Sequence, residues 1–427
     1  MKQIIRCSIA PLMLALMAGC SVNPVTGERS LNMMGEQWEL QVGQQQYAPL
    51  RQQQGGDFNL DPELVAYVQR VGQRLAAVAD RELPYEFNVI NDSVPNAWAL
   101  PGGKISINRG LLTEMQSEAE LAAVLGHEIV HSAASHGAQQ QSRSTLLQGA
   151  VVVGTIAVGA ATEDAGYTQA AMLGGSLGAQ LISQGYSREA ERESDLYGMR
   201  YMQRAGYNPR GAVDLQETFV RLSEGRRANA FDVLFSSHPP SQERVENNRN
   251  LLAELGDSGE IGRERYQQMI ARLKRAQPAY EAFDEGRKAL SEDNAALALQ
   301  KAEQAIRIEP EEALFHGLKG DALASQSNYA QAERAYGQAL RHNSGWFYHH
   351  LRRGMVREEL GKLDGARQDL TASNELIPTA TGYYFLGNVE RAAGNRSAAV
   401  EHYRVAAQSQ SQIGERAKLA LQEMGAG

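Results

Sequence analysis

Cysteine is nearly absent: Cys7 and Cys20 are the two the chain contains, both near its start. If Cys7 leaves with a cleaved leader, one thiol remains, so no internal disulfide can staple the fold. Long apolar runs are missing too. Ile9 to Ala18 and Leu146 to Ala161 both fall short of the roughly 20 residues that a spanning helix needs, which argues against a membrane-spanning protein. Positive charge is not in excess either. A net charge of −8 without a basic cluster disfavours nucleic acid as a partner. What remains is a chain of 427 residues, 43% hydrophobic, which fits two globular domains after a leader and leaves no room for a third catalytic module.

Lys2 and Arg6 precede the short apolar stretch, the pattern of a secretory signal. Its end, Leu16-Met17-Ala18-Gly19-Cys20, resembles a bacterial lipoprotein box, with methionine where leucine is commoner. That resemblance makes residues 1–19 a signal peptide and Cys20 the lipidated first residue. Ser21 stands where aspartate would signal inner-membrane retention, so the expected location is the periplasmic face of the outer membrane. The alternative is a plain signal peptide giving a soluble periplasmic protein.

Chemistry concentrates in Gly126-His127-Glu128-Ile129-Val130-His131. On a helix, residues four apart share a face, so His127 and His131 can reach one metal while Glu128 points toward its water. The apolar Leu121 to Leu125 before the motif makes this helix buried, and buried imidazoles need partners. Zn2+ wants a third protein ligand. A histidine at the metzincin spacing would fall at Gly137, and Ala134 stands where that motif needs glycine, so the reading fails; His136 is one residue off. A better candidate lies in Tyr186 to Asp195, a helical stretch on which Glu191 and Asp195 share a face.

HExxH followed by Ser-Arg-x-x-Glu-x-x-(small)-Asp resembles the gluzincin family of HtpX, OMA-type and CAAX prenyl endopeptidases, with Ser194 where alanine is usual. The resemblance implies a zincin-type fold, one Zn2+ held by His127, His131 and Glu191, Glu128 as general base, and Asp195 hydrogen-bonded to a liganding imidazole. Glu189 and Glu193 are then expected to face solvent. His238-Pro239-Pro240-Ser241-Gln242-Glu243-Arg244 resembles a further family segment. Two roles for His238 stay open: a donor to the oxyanion with Arg244 nearby, or a fourth metal ligand that holds the enzyme inactive. Alternation from Lys104 to Asn108, after a Pro-Gly-Gly turn, reads as a strand similar to the family's edge strand, suited to bind an extended polypeptide.

Asn23 to Arg29 also resembles lipoprotein members of the family, and a Gln-rich helical arm then runs to Gln54, expected to pack on the catalytic domain. The alanine- and glycine-rich span Leu146 to Ile182 suggests a helical hairpin, either core or apolar lid. Beyond Pro278 a repeat of about 34 residues sets Gly286, Gly320, Gly354 and Gly387 in register, as it does Ala298, Ala332, Ala366 and Ala399. These are tetratricopeptide repeats, four with a capping helix from Ile413 to Met424. Trp346, Phe347 and Tyr348 suit either the concave face or inter-repeat packing. His316, His342, His349, His350 and His402 read as surface or groove residues. The whole is mainly α with a small β-sheet: a metallopeptidase domain over 20–275, then an α-solenoid over 278–427. The resemblance implies a zinc endopeptidase that degrades stalled or misfolded outer-membrane proteins and assists their assembly, its repeats docking clients or the barrel assembly machinery. The contrasting reading is a chaperone or adaptor with a plugged or structural zinc site.

Overall fold

The computed structural model describes residues 20–147, 179–182, 185–224 and 231–427. The expected signal peptide and most of the apolar span Leu146 to Ile182 lie outside the described residues. Two compact units emerge. One takes described residues within 20–48, 63–147 and 179–270; the other takes Pro49–Pro62 and Ala271–Gly427. Among the described residues, no helix is long and apolar enough to cross a membrane.

In the first unit, strands β1 (Cys20–Val22) and β2 (Arg29–Leu31) form an antiparallel hairpin. A separate three-stranded sheet joins β3 (Glu86–Ile90), β4 (Ala97–Leu100) and β5 (Lys104–Asn108) in the order β3-β5-β4. The strand expected at the edge is therefore central. β5 pairs antiparallel with β4 and parallel with β3, so its main-chain groups are taken on both sides. Among the described residues β4 has a single neighbour, which leaves it as the edge strand.

The HExxH helix, Glu118–Ala133, starts where the sequence writes a capping box. Ser117 Oγ accepts from Glu120 N, while Glu120 Oε2 accepts from Gln116 N. The helix is buried almost all round. Ser132 Oγ donates to Leu100 O at 3.0 Å, tying its last turn to β4. Ser187 caps the second helix of the site, Arg188–Arg204, and Ser241 caps the third, Gln242–Leu255. The first two cross at their glycines. A Cβ on Gly198 would come within 3.1 Å of His127 N, and one on Gly126 within 3.2 Å of Gly198 O.

The second unit contains, among the described residues, four helix pairs: Ala271–Ser291 with Ala295–Ile308, Ala313–Ser325 with Tyr329–His342, Phe347–Glu359 with Leu363–Leu376, and Ala380–Ala392 with Arg396–Ala406. A capping helix, Gln412–Glu423, closes the array. The register glycines are the crossing points. A Cβ at Gly320 would lie 2.6 Å from the Tyr336 ring, and one at Gly387 equally close to Tyr403; Gly354 faces Leu370 in the same way. All four register alanines are fully buried.

Three expectations change here. The Gln-rich arm forms the helix Glu36–Gln53, whose first part belongs to the first unit, where Tyr47 Oη donates to Ile105 O at 2.6 Å. Residues 49–62 instead join the repeats: Gln52 O accepts from Trp346 Nε1 at 2.9 Å, and that indole covers Gly56, held at φ 78°. Trp346 is thus occupied by the chain's own segment, because a glycine in the left-handed region lets backbone lie flat on a ring. His349 is buried, not superficial, and burial pushes it down to about 3.

Asp369 holds one repeat interior together. Its carboxylate, 3% exposed, accepts from Arg353 Nε and Nη2 at 2.8 and 2.7 Å and from Arg357 Nη1 at 2.9 Å. Burial alone would raise its pKa, but hydrogen bonds from Arg353 and His350 hold it below the usual range. A depressed carboxyl stabilises the fold above its unfolded pKa, and that contribution fades as pH falls through the folded value. Asp369→Asn should cost about 3–5 kcal/mol at neutral pH in urea unfolding of the full chain. The gap to the native chain should close as pH drops below the ordinary aspartate range.

Candidate metal centre

Four side chains from three separate segments converge. One donor atom from each of His127, His131, Glu191 and His238 lies within 4.8 Å of all the others. His131 Nε2 is 3.0 Å from His127 Nε2 and 3.3 Å from Glu191 Oε1; His238 Nδ1 is 3.3 Å from His127 Nε2 and 3.0 Å from Glu191 Oε1. Tetrahedral coordination with bonds of about 2.0–2.1 Å puts neighbouring donors about 3.3–3.4 Å apart. The observed spacing therefore fits one small dication. The chemistry of the set fits as well, since imidazole and carboxylate are the donors such an ion takes.

Each expected site residue is in reach of this centre. Asp195 Oδ1 lies 3.0 Å from His127 Nδ1 and fixes which nitrogen of that ring faces inward. Glu128 is buried, with Oε1 3.6 Å from His238 Nε2 and Oε2 without a hydrogen-bond partner among the described residues. Arg244 does not face an open cleft. Its Nε and Nη2 both donate to Asp195 at 2.7 Å, and Nη1 donates to Pro239 O and lies 2.9 Å from Glu191 Oε2. It bridges the two carboxylates.

Burial opposes every charge here, and the partners decide the outcome. Burial would lower His127, yet Glu191 and Asp195 push it up to about 10. His131 falls well below its usual value, chiefly through burial. Burial would raise Glu191, but His238 and His127 hold it well below the carboxylate range. Burial would likewise raise Asp195, and Arg244 lowers it. Burial raises Glu128, which suits a group that must take a proton.

Sequence reasoning missed three contributors. Tyr186 stacks on His131 with ring centres 3.8 Å apart, and the Gly126–Gly198 contact sets how close the helices come. Glu193 does not face solvent as expected. Its side chain is 20% exposed and accepts from Asn23 Nδ2 at 2.7 Å, because the β1–β2 hairpin folds back over this helix. Helical spacing alone signals none of these; only the paired glycines hint at a close crossing.

Residues 62–252 match the Peptidase family M48. Metalloprotease YcaL of Escherichia coli is 31% identical over 190 residues, which are 43% of this chain and 71% of that protein. The chain belongs to peptidase family M48. Mitochondrial metalloendopeptidase OMA1 of Schizosaccharomyces pombe is 31% identical over 52% of this chain and 63% of its own length. A beta-barrel assembly-enhancing protease of Escherichia coli is 29% identical over 44% of this chain. The match spans only 39% of that protein's length. M48 peptidases imply a catalytic metal, and the donor set described above is where this chain could hold one.

Two substitutions test the architecture. Gly198→Leu should force the HExxH and Glu191 helices apart, costing about 1–3 kcal/mol in thermal unfolding and lowering the metal retained after dialysis. Ser194 is fully buried and its hydroxyl has no partner among the described residues, so Ser194→Ala should be neutral or stabilising by about 1 kcal/mol.

Proposed function

We propose that this chain is a zinc endopeptidase, with His127, His131 and Glu191 as metal ligands. The observation that carries this reading is the convergence of those donors beside a buried, unpartnered Glu128 oxygen. Zinc in such a site polarises a carbonyl and acidifies water. Glu128 takes the proton of the attacking water and passes it to the leaving amine. Asp195, gripped by Arg244, holds His127 in the tautomer that directs Nε2 inward. An extended polypeptide would lie alongside β4, whose Ala97 lines the same small cavity as His127 and Glu128. Main-chain pairing reads little sequence, so the substrates are unfolded segments.

His238 favours the resting-state role over the oxyanion role. Its Nδ1 sits among the donor atoms, 3.0 Å from Glu191 Oε1, where it would complete the tetrahedron and exclude the catalytic water. Opening then requires the segment around His238 to move. This placement also supports the second reading, a chaperone or adaptor whose site stays plugged.

Relatives named for beta-barrel assembly and for mitochondrial endopeptidase activity lead us to misassembled outer-membrane proteins as clients. The repeats would recruit them, or the assembly machinery, through their curved surface. Cys20 would carry the lipid that anchors the protein to the periplasmic side of the outer membrane, each buried acyl methylene contributing about 0.8 kcal/mol.

Zinc content and casein cleavage should be measured for the chain lacking residues 1–19. Glu128→Gln should keep zinc and lose cleavage by about 10²–10⁴-fold; cleavage at the native rate would refute the assignment. His238→Ala should cleave faster than the native protein. Loss of cleavage by His238→Ala from an active native protein would favour the oxyanion role instead, and no cleavage by either protein, with zinc still bound, would favour the chaperone reading.

A further inference from the structure

The two imidazoles of the HExxH motif are supported differently. A histidine that gives Nε2 to a metal carries its proton on Nδ1 and needs an acceptor there. For His127 the acceptor is Asp195. For His131 it is another histidine: His131 Nδ1 lies 2.9 Å from His136 Nδ1. That contact fixes the proton pattern. His136 must accept on Nδ1, so its own proton sits on Nε2. His136 is 4% exposed; its Nε2 has no hydrogen-bond partner among the described residues, and Glu193 Oε1 lies 3.4 Å from it. The same Glu193 oxygen accepts from Asn23 Nδ2 at 2.7 Å.

The backbone is bent to make this contact. Ser135, immediately before His136, sits at φ 59°, in the left-handed region that a residue with a side chain seldom adopts. The turn ends the HExxH helix and starts the helix His136–Leu147, so that its first side chain folds back beside His131. Ser135 Oγ, in turn, accepts from Arg81 Nη1 at 2.9 Å. Strain of this kind persists where surrounding contacts over-determine it.

We propose that His136, with Glu193 held beside it by Asn23, is a positioning residue that fixes the tautomer and ring angle of His131. The idea rests on the zinc-site reading above. It also makes the N-terminal hairpin part of the metal centre, because Asn23 directly follows β1.

The test is zinc affinity of the purified full-length protein, by competition with a chromophoric chelator, alongside thermal unfolding of the metal-free forms. His136→Leu should bind zinc about 10–100-fold more weakly. His136→Asn, whose side-chain oxygen can stand where Nδ1 stood, should recover most of that loss. Asn23→Ala should show a smaller loss in the same direction. Metal-free His136→Leu and His136→Asn should unfold at similar temperatures, which separates ligand positioning from general destabilisation. Equal zinc affinity in native and His136→Leu proteins would overturn the relay while leaving the zinc site standing. A native protein that takes up no zinc would overturn both. If His136→Leu does not fold, His136→Asn against His136→Gln makes the same comparison, since glutamine places no acceptor at the Nδ1 position. Equal affinities of those two would overturn the relay.

Discussion

A cluster of ionisable groups buried in one shell must satisfy itself, and that requirement organises the first unit. Glu128, Glu191, His131 and Arg244 are all under 9% exposed, in surroundings where an unpaired charge costs several kcal/mol. Arg244 answers with a two-pronged grip on Asp195 and a third contact to Glu191. The capped helix that supplies Arg244 also fixes the Pro239-Pro240 turn and, with it, His238. One guanidinium therefore sets the orientation of a metal-site carboxylate, of the carboxylate behind His127, and of the segment that closes the centre.

The donor set brings three imidazoles and a carboxylate within a few ångströms of one another. His127 is driven toward the charged form by Glu191 and Asp195 while His131 is driven toward the neutral one. A dication at the centre serves all four donors at once, which is why spacing and chemistry point the same way. His238 is the donor with a different origin. It comes from the end of a short helix, Asp232–Ser237, not from the long helices that carry the other donors.

The second unit solves a different problem with the same economy of small residues. Helix pairs approach until a ring or a leucine touches a glycine, and buried alanines keep the stack tight. Asp369, between Arg353 and Arg357, is a buried polar group with its partners in place.

The sequence by itself determined the local grammar: the HExxH face, the Glu191–Asp195 face, and the repeat period with its glycines and alanines. Each is set by residues within a turn or two of one another, or by a repeated pattern, so spacing suffices to read them. Tertiary structure decided what joins distant segments. It placed Lys104–Asn108 in the middle of its sheet by pairing it with Glu86–Ile90, set the Trp346 indole on Gly56, and turned Arg244 onto Asp195. It also brought Asn23, Glu193 and His136 to the back of His131. Apart from His131 and His136, which are 5 positions apart, these contacts join residues tens to hundreds of positions apart, and no periodicity along the chain encodes which of many carboxylates a buried cation will meet.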